Sequence, residues 1–257
     1  WELLKEALEG FDAARNAVGY GKAFQGLCDC FWDRNLFFSE SWLESKRMVE
    51  EFLKYGQTAI ERFSQTGDAE KLALAYASTL LTMVLNLEFF DERKDEFTSA
   101  IQDYIEKTVA LSEKIEDAEI QFSVNWTLLW ANICTKANFK AAFEYAEKLR
   151  RQSERLNDHG ALGWAYYGTD CAAAFESTTE ENPDKERELH NLTIRSAEES
   201  ICHNLLVCRY DRAAYSHAYF LIDGYIYLAQ LETSIEGKRA LLKRAVEAGR
   251  EGAKYAQ

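Results

Sequence analysis

Residues 126–149 read WTLLWANICTKANFKAAFEYAEKL, and two helical patterns meet within this stretch. Its first half has apolar residues spaced i, i+3, i+4 and i+7, which places them on one face of a helix. These residues are Trp126, Leu129, Trp130 and Ile133. After a polar interruption, the second half has a similar face with small residues at its centre, which permits close approach of another helix. That face consists of Phe139, Ala142, Ala146 and Leu149. The stretch therefore predicts two antiparallel helices that pack together.

The composition of the whole chain also favours helices. Its 257 residues include one proline and 13 glycines, and 47% of them are hydrophobic. Strands and tight hairpins need more β-branched runs and turn residues, whereas the abundant Ala, Leu, Glu and Lys are strong helix formers. We therefore expect an all-α protein with a substantial core.

Charge and hydropathy exclude several classes of partner. The formal net charge is −13, from 30 basic and 43 acidic residues, whereas binding to nucleic acid needs clustered Lys and Arg. No run of about 18 apolar residues that would span a membrane is present, and the opening WELLKEALEG lacks the features of a signal peptide. The six cysteines lie in helix-like contexts and are expected to be reduced thiols. We expect a soluble, cytoplasmic protein that binds neither nucleic acid nor membrane.

The pattern of the opening stretch recurs along the chain, which indicates an internal repeat. Its other copies are Phe24/Leu27/Cys28/Phe31, Tyr76/Thr79/Leu80/Met83, Trp164/Tyr167/Gly168/Cys171 and Phe220/Asp223/Gly224/Tyr227. A longer, charged, amphipathic segment follows each copy, so each repeat is expected to be a helix pair. The predicted repeats are 20–65, 69–116, 118–157, 159–208 and 211–257, within a single domain that covers 1–257. Residues 1–18 look like the second helix of a preceding repeat, and we expect the chain to be a fragment of a longer protein.

The third repeat resembles the tetratricopeptide repeat. The resemblance rests on the two faces of 126–149 together with the small residue Ala137 at the turn, and Trp164, Gly168, Gly224 and Tyr227 resemble matching positions in later repeats. It implies a right-handed superhelix, an α-solenoid of about five antiparallel helix pairs with long, divergent repeats. It also implies a concave groove lined by the first helix of each pair.

The family's groove positions can be carried over to this chain one residue at a time. They are Lys22, Gln25, Asp29, Trp32, Leu74, Ala77, Leu81, Val84, Val124, Thr127, Ala131, Thr169, Leu221, Tyr225 and Leu228. This face is polar at one end and otherwise apolar and small, which suits an amphipathic helix or an apolar peptide. The resemblance thus implies a scaffold or regulatory module that binds a protein or peptide. A second possibility is that tight curvature, or a neighbouring region, fills the groove.

Two other functions are kept as alternatives. The helices at either end of the chain could stack on another copy and form a homodimer. Alternatively, the groove could sense a small molecule or peptide through Trp32 and Asp29 at one end or Tyr225 at the other. No phosphate loop, dinucleotide fingerprint, metalloprotease helix or nucleophile elbow is present, so we expect neither an enzyme nor a cofactor.

Two groups of titratable residues are candidate sites. Cys202, His203, Cys208 and His217 lack the spacing of zinc ligands, because Cys202 and Cys208 would point to different faces of a helix. Asp223 falls within an apolar stripe, and a buried carboxylate must be paired or protonated. We expect it to form a structural ion pair with Arg209 or Arg212.

Overall fold

The computed structural model describes residues 2–13, 16, 19–24, 26–27, 42–87, 94–135 and 138–256. Within these ranges every regular element is a helix, so the expected all-α class is confirmed there. The chain divides into two compact units, Trp1–Ala131 and Asn132–Gln257. Among the described residues, no helix combines the length and the apolar character needed to cross a bilayer.

Residues 19–24 and 26–27 of the first unit are helical, and its other described elements include four longer helices and most of a fifth. These are α1 (Glu2–Ala13), α2 (Trp42–Thr66), α3 (Ala69–Leu85), α4 (Lys94–Ser112) and α5 (Ala118–Cys134). Helix α3 packs against both α2 and α4. Two ion pairs connect α1 to α2: Lys5 Nζ lies 2.9 Å from Glu51 Oε2, and Arg62 Nε lies 2.6 Å from Asp12 Oδ1.

The second unit begins within α5 and continues with six further helices in its described residues. They are α6 (Phe139–Leu156), α7 (His159–Ser177), α8 (Pro183–Leu206), α9 (Tyr210–Ser216), α10 (Ile222–Leu231) and α11 (Ile235–Tyr255), and a π-helical turn at His217–Leu221 separates α9 from α10. Helix α7 packs between α6 and α8, and α10 packs against both α8 and α11.

Side-chain caps mark the starts of several helices. Asp68, Asn138, Asp158 and Ser234 each accept a hydrogen bond from the backbone N–H three residues later, at 3.0–3.1 Å. Asn182 caps α8 in a similar way, with Pro183 as its first helical residue. These caps satisfy backbone donors that a helix start leaves free, so local sequence is sufficient to place the starts of these helices.

The faces predicted for residues 126–149 are largely buried. Leu129 and Ile133 on α5 are inaccessible to solvent, as are Ala142 and Leu149 on α6. Helix α3 is buried to a greater extent, because ten of its seventeen residues are buried. A helix that is buried on nearly all sides has no face left for solvent.

The fifth repeat departs from the predicted register. Of its predicted face, Phe220 and Gly224 are buried, but Asp223 is exposed and Tyr227 is 45% exposed. The buried i, i+3, i+4, i+7 set is shifted by one residue and consists of Leu221, Gly224, Tyr225 and Leu228. The π-helical turn explains the shift, because a π turn inserts an extra residue into the helical register.

Asp223 is therefore not the buried carboxylate of this chain, and its predicted ion pair is corrected. Arg209 instead pairs with Asp211 at 2.9 Å, and the Arg212 guanidinium lies 4.2 Å from the centre of the Trp164 ring. The sequence pattern placed Asp223 inward because it assumed a regular α-helix through the π turn.

Among the described residues, the carboxylate that the fold buries is Asp170 on α7, which has no solvent exposure. Neither of its oxygens has a hydrogen-bond partner of good geometry in the described residues. Burial raises the pKa of Asp170 well above its ordinary value, although the adjacent Cys171 opposes the rise. Ionisation in this apolar setting costs free energy, so the folded protein favours the protonated acid.

A close helix crossing in the first unit depends on Gly56 of α2. A Cβ at this position would lie 2.2 Å from Thr79 Oγ1 of α3. Thr79 is 1% exposed, and its hydroxyl donates a 2.7 Å hydrogen bond to the Ala75 carbonyl. Because this β-branched side chain is held in place, it has little freedom to move aside.

We expect Gly56→Ala to lower the free energy of unfolding by about 1 kcal/mol or more, because overpacking a filled crossing costs about 1–3 kcal/mol. Gly10→Ala is the matched control on α1, where an added Cβ would meet no atom within 4 Å. That change should be neutral or stabilising by about 0.5–1 kcal/mol, because Ala loses less backbone entropy in a helix. Urea denaturation of both variants measures the difference. Equal effects would contradict the close crossing.

We expect Asp170→Asn to stabilise the protein increasingly as pH rises. The unfolded carboxyl has a pKa of about 3.9, and the folded pKa is higher. The protonated acid therefore favours folding below pH 4, and this contribution is lost at about 1.4 kcal/mol per pH unit as pH rises towards the folded pKa. Asparagine does not titrate, so its contribution to the free energy of unfolding does not change with pH in this way.

Thermal melts at pH 4, 6 and 8 provide the measurement, with Asp184→Asn at an exposed position of α8 as the control. The difference in melting temperature between Asp170→Asn and wild type should grow across the series, and that of the control should change much less. A difference that stays constant with pH would contradict a raised pKa at Asp170.

Candidate partner-binding site

The structure places most of the predicted groove residues in the interior. Nine of them are buried, each at 8% exposure or less. They are Ala77, Leu81, Val84, Val124, Thr127, Ala131, Leu221, Tyr225 and Leu228. Leu74 and Thr169 are half-buried and Lys22 is exposed, whereas Gln25, Asp29 and Trp32 lie outside the described residues.

Burial of these positions follows from how the first helices pack. Ala77, Leu81 and Val84 lie on α3, which contacts helices on two sides and has buried residues around most of its circumference. A partner could reach these side chains only if the surrounding helices moved apart. The structure thus matches the alternative in which the face is filled, rather than an open groove at these positions.

An open groove does occur in the second unit, among α8, α10 and α11. We call it the α8–α10–α11 groove, and its volume is about 760 Å³. Its apolar floor is formed by Leu189, Leu192, Ile194, Tyr225, Leu228 and Leu241. Two of these residues, Tyr225 and Leu228, are predicted groove positions, so the structure brings this part of the prediction into one site.

Gly224 sets how closely α10 approaches α8. A Cβ at this position would lie 2.7 Å from Cγ1 of Ile194. The close approach is therefore open only to glycine unless Ile194 moves. It brings the next residue on α10, Tyr225, beside Ile194 and Glu198 in the lining of the groove.

Tyr225 connects the floor of the groove to its charged rim. Its ring is 8% exposed, its hydroxyl lies 3.4 Å from Glu198 Oε1, and the Arg244 guanidinium lies 5.9 Å from the ring centre. Burial is the main cause that raises the pKa of Tyr225, and the negative charge of Glu198 adds to it. The phenol is therefore neutral at physiological pH and can donate a hydrogen bond.

The rim carries charges of both signs with basic residues in excess. Lys185, Arg195 and Arg244 line it together with Glu188 and Glu198. Lys185 already pairs with Glu176 and Glu180, at 2.9 and 2.7 Å.

Arg195 is exposed, and among the described residues its guanidinium makes no hydrogen bond or ion pair. In a chain of net charge −13, an unpaired arginine beside an apolar floor is a candidate anchor for an acidic group.

The rim residues are the part of the site that sequence reasoning missed. Family positions were carried over only for first helices, whereas the rim residues Lys185 and Arg195 lie on α8, the second helix of its predicted pair. A signal was available: Leu189, Leu192 and Arg195 recur every third residue, which brings them near one another on a helix. That spacing alone does not say whether the face is covered.

The residues weighed as metal ligands do not converge in the structure. Cys202 and Cys208 are exposed, and His217 is buried against the ring of Tyr255. His203 instead faces His159, with 2.9 Å between the two Nδ1 atoms. One imidazole donates and the other accepts in such a pair. Burial and His159 both lower the pKa of His203.

Comparison with known proteins gives little further information. No family model matches the chain, and no curated protein matches it. Among solved structures, it is similar to a circular tandem repeat protein with novel repeat topology and enhanced subunit contact surfaces. The identity is 16% and the TM-score 0.38, over 99% of this chain and 64% of the other. A likeness at this level supports no inference about function, so the candidate site rests on its own geometry.

Proposed function

We propose that this chain is a binding module built from tetratricopeptide-like helix pairs, wound as a right-handed superhelix. In this proposal it holds an amphipathic helix of a partner protein in the α8–α10–α11 groove. The observation that carries the proposal is the combination of an apolar floor with an unpaired arginine, Arg195, at the rim. Grooves of this kind bind helices whose apolar anchors recur at i, i+3, i+4 and i+7.

The charges of the rim favour an acidic helix. An acidic residue next to the apolar anchors would pair with Arg195, which has no competing partner among the described residues. Arg244 also lines the groove and lies over the Tyr225 ring. A carboxylate between these two arginines would gain charge-assisted hydrogen bonds in a partly apolar setting. Glu188 and Glu198 would oppose additional acidic residues, which limits how many the helix can carry.

The floor accounts for most of the expected affinity. Burial of each Leu-sized anchor of the partner contributes on the order of 1.5–3 kcal/mol, whereas an exposed ion pair contributes about 0–1 kcal/mol. The apolar residues would thus provide affinity and Arg195 the preference for charge. This division can be tested by changing each part separately.

Two fluorescent peptides with identical Leu anchors, one flanked by Glu and one by Lys, test the charge preference. We expect wild-type protein to bind the Glu peptide more tightly in fluorescence anisotropy titrations. Arg195→Glu should reverse or remove that preference. Arg155→Glu on α6 is the matched control, because it makes the same change in charge at an exposed position away from the groove, and it should leave the preference intact.

A second variant tests the floor. Leu192→Asp places a charge on a half-buried position of the groove. It should weaken the binding of both peptides at least tenfold, while the circular dichroism spectrum stays helical. If the Glu peptide binds to Arg195→Glu and to folded Leu192→Asp as tightly as to wild type, the result contradicts the proposed site.

A further inference from the structure

Helix α11 has a second exposed face, separate from the groove. Its buried residues Ala245, Ala248 and Gly252 lie on the inner side. On another side, Ile235, Leu242 and Val246 are 70%, 47% and 54% exposed. Their spacing of i, i+7 and i+11 places them in one stripe along the helix. We call this stripe the outer face of α11.

Basic residues flank this stripe. The helix contains six basic and three acidic residues, for a net charge of +3, within a chain of net charge −13. Arg239 and Arg250 lie next to the stripe on a helical projection, and neither has a hydrogen bond or ion pair within the part of the chain that the structure describes. An apolar stripe beside unpaired arginines suits an acidic, partly apolar surface.

Helix α1 of the first unit has the complementary surface. It contains four acidic residues and one lysine, for a net charge of −3. Leu3 is 80% exposed, and Glu6 and Glu9 are exposed beside it. Among described residues, neither of these glutamates forms an ion pair. Both helices thus present exposed apolar side chains next to unpaired charges, of opposite sign.

The dimensions of the two surfaces are compatible. At a rise of about 1.5 Å per residue, Arg239 and Arg250 are about 16 Å apart along α11, and the unpaired Glu6 and Glu9 are about 4.5 Å apart along α1, so the two glutamates can face one arginine at a time. The acidic row of α1 therefore falls within the length of the basic row.

We infer that the outer face of α11 binds α1 of a second copy of this chain, so that copies associate head to tail. Each copy offers both surfaces, so the contact is heterologous and can extend into a chain or close into a ring. Apolar contact between Leu3 and the Ile235–Val246 stripe supplies attraction, and the opposite charges set the choice of surface. The inference does not depend on the α8–α10–α11 groove.

Sedimentation velocity on the 257-residue chain tests this inference. We expect the sedimentation coefficient of wild type to rise with loading concentration, and to rise less at high salt because salt screens exposed charges. Arg239→Glu/Arg250→Glu and Glu6→Lys/Glu9→Lys should each be monomeric at every concentration. All four positions are exposed, and circular dichroism verifies that both variants stay folded.

Mixing the two variants gives the sharpest result. The unchanged α1 of the arginine variant then meets the unchanged α11 of the glutamate variant, and the two reversed surfaces are also complementary, so a one-to-one mixture should associate again. A wild-type chain that stays monomeric would overturn the inference. Self-association by Glu6→Lys/Glu9→Lys alone would also overturn it, because it would indicate a symmetric contact between two α11 faces. Binding of monomeric wild type to phosphatidylserine vesicles would assign the arginines to a membrane surface instead.

Discussion

Close packing of the helices is the constraint on which the rest of this structure depends, and α3, with ten of its seventeen residues buried, shows it most clearly. Helix α3 is enclosed by α2 and α4, and its small residues allow the neighbours to come close. Close crossings require side chains without bulk, as the 2.2 Å that would separate a Cβ at Gly56 from Thr79 illustrates. The longer, charged helices α8 and α11 provide most of the surfaces proposed for binding, together with Tyr225 and Leu228 of α10.

This arrangement explains where binding surfaces occur. Helix α8 contributes the rim residue Arg195, and α11 contributes both Leu241 to the groove and Leu242 to its outer face. Adjacent residues on a helix point about 100° apart, so one helix can serve two separate surfaces. A predicted second helix is therefore the main component of both proposed contacts.

Local chemistry made part of the fold predictable. The starts of the helices follow from Asp68, Asn138, Asp158 and Asn182, because a cap depends only on residues within one turn. The buried faces of α5 and α6 follow from apolar spacing.

The predictions that the structure corrects depended on longer-range geometry. A π turn at His217–Leu221 shifted the buried register by one residue, and spacing alone gave no sign of it. The same limit applies to Asp170 and Asp223, whose exposures could not be ranked from pattern.

The predicted site was partly recovered for the same reason. Tyr225 and Leu228, two of the predicted groove residues, line the α8–α10–α11 groove together with residues of α8. Ala77 and Ala131 were assigned by the same family positions, but the packing of their helices buries them. Whether a helical face is open depends on its neighbours, which no single-helix pattern contains.

Hydrogen–deuterium exchange with and without the Glu-flanked peptide tests the central claim most directly, because it reports on every helix at once. The account predicts that the peptide slows exchange in α8, α10 and α11 around Leu192, Tyr225 and Leu241, and leaves α3 unchanged. Slower exchange confined to α3 and α5, around Leu81 and Val124, would contradict it and restore the first helices as the binding surface.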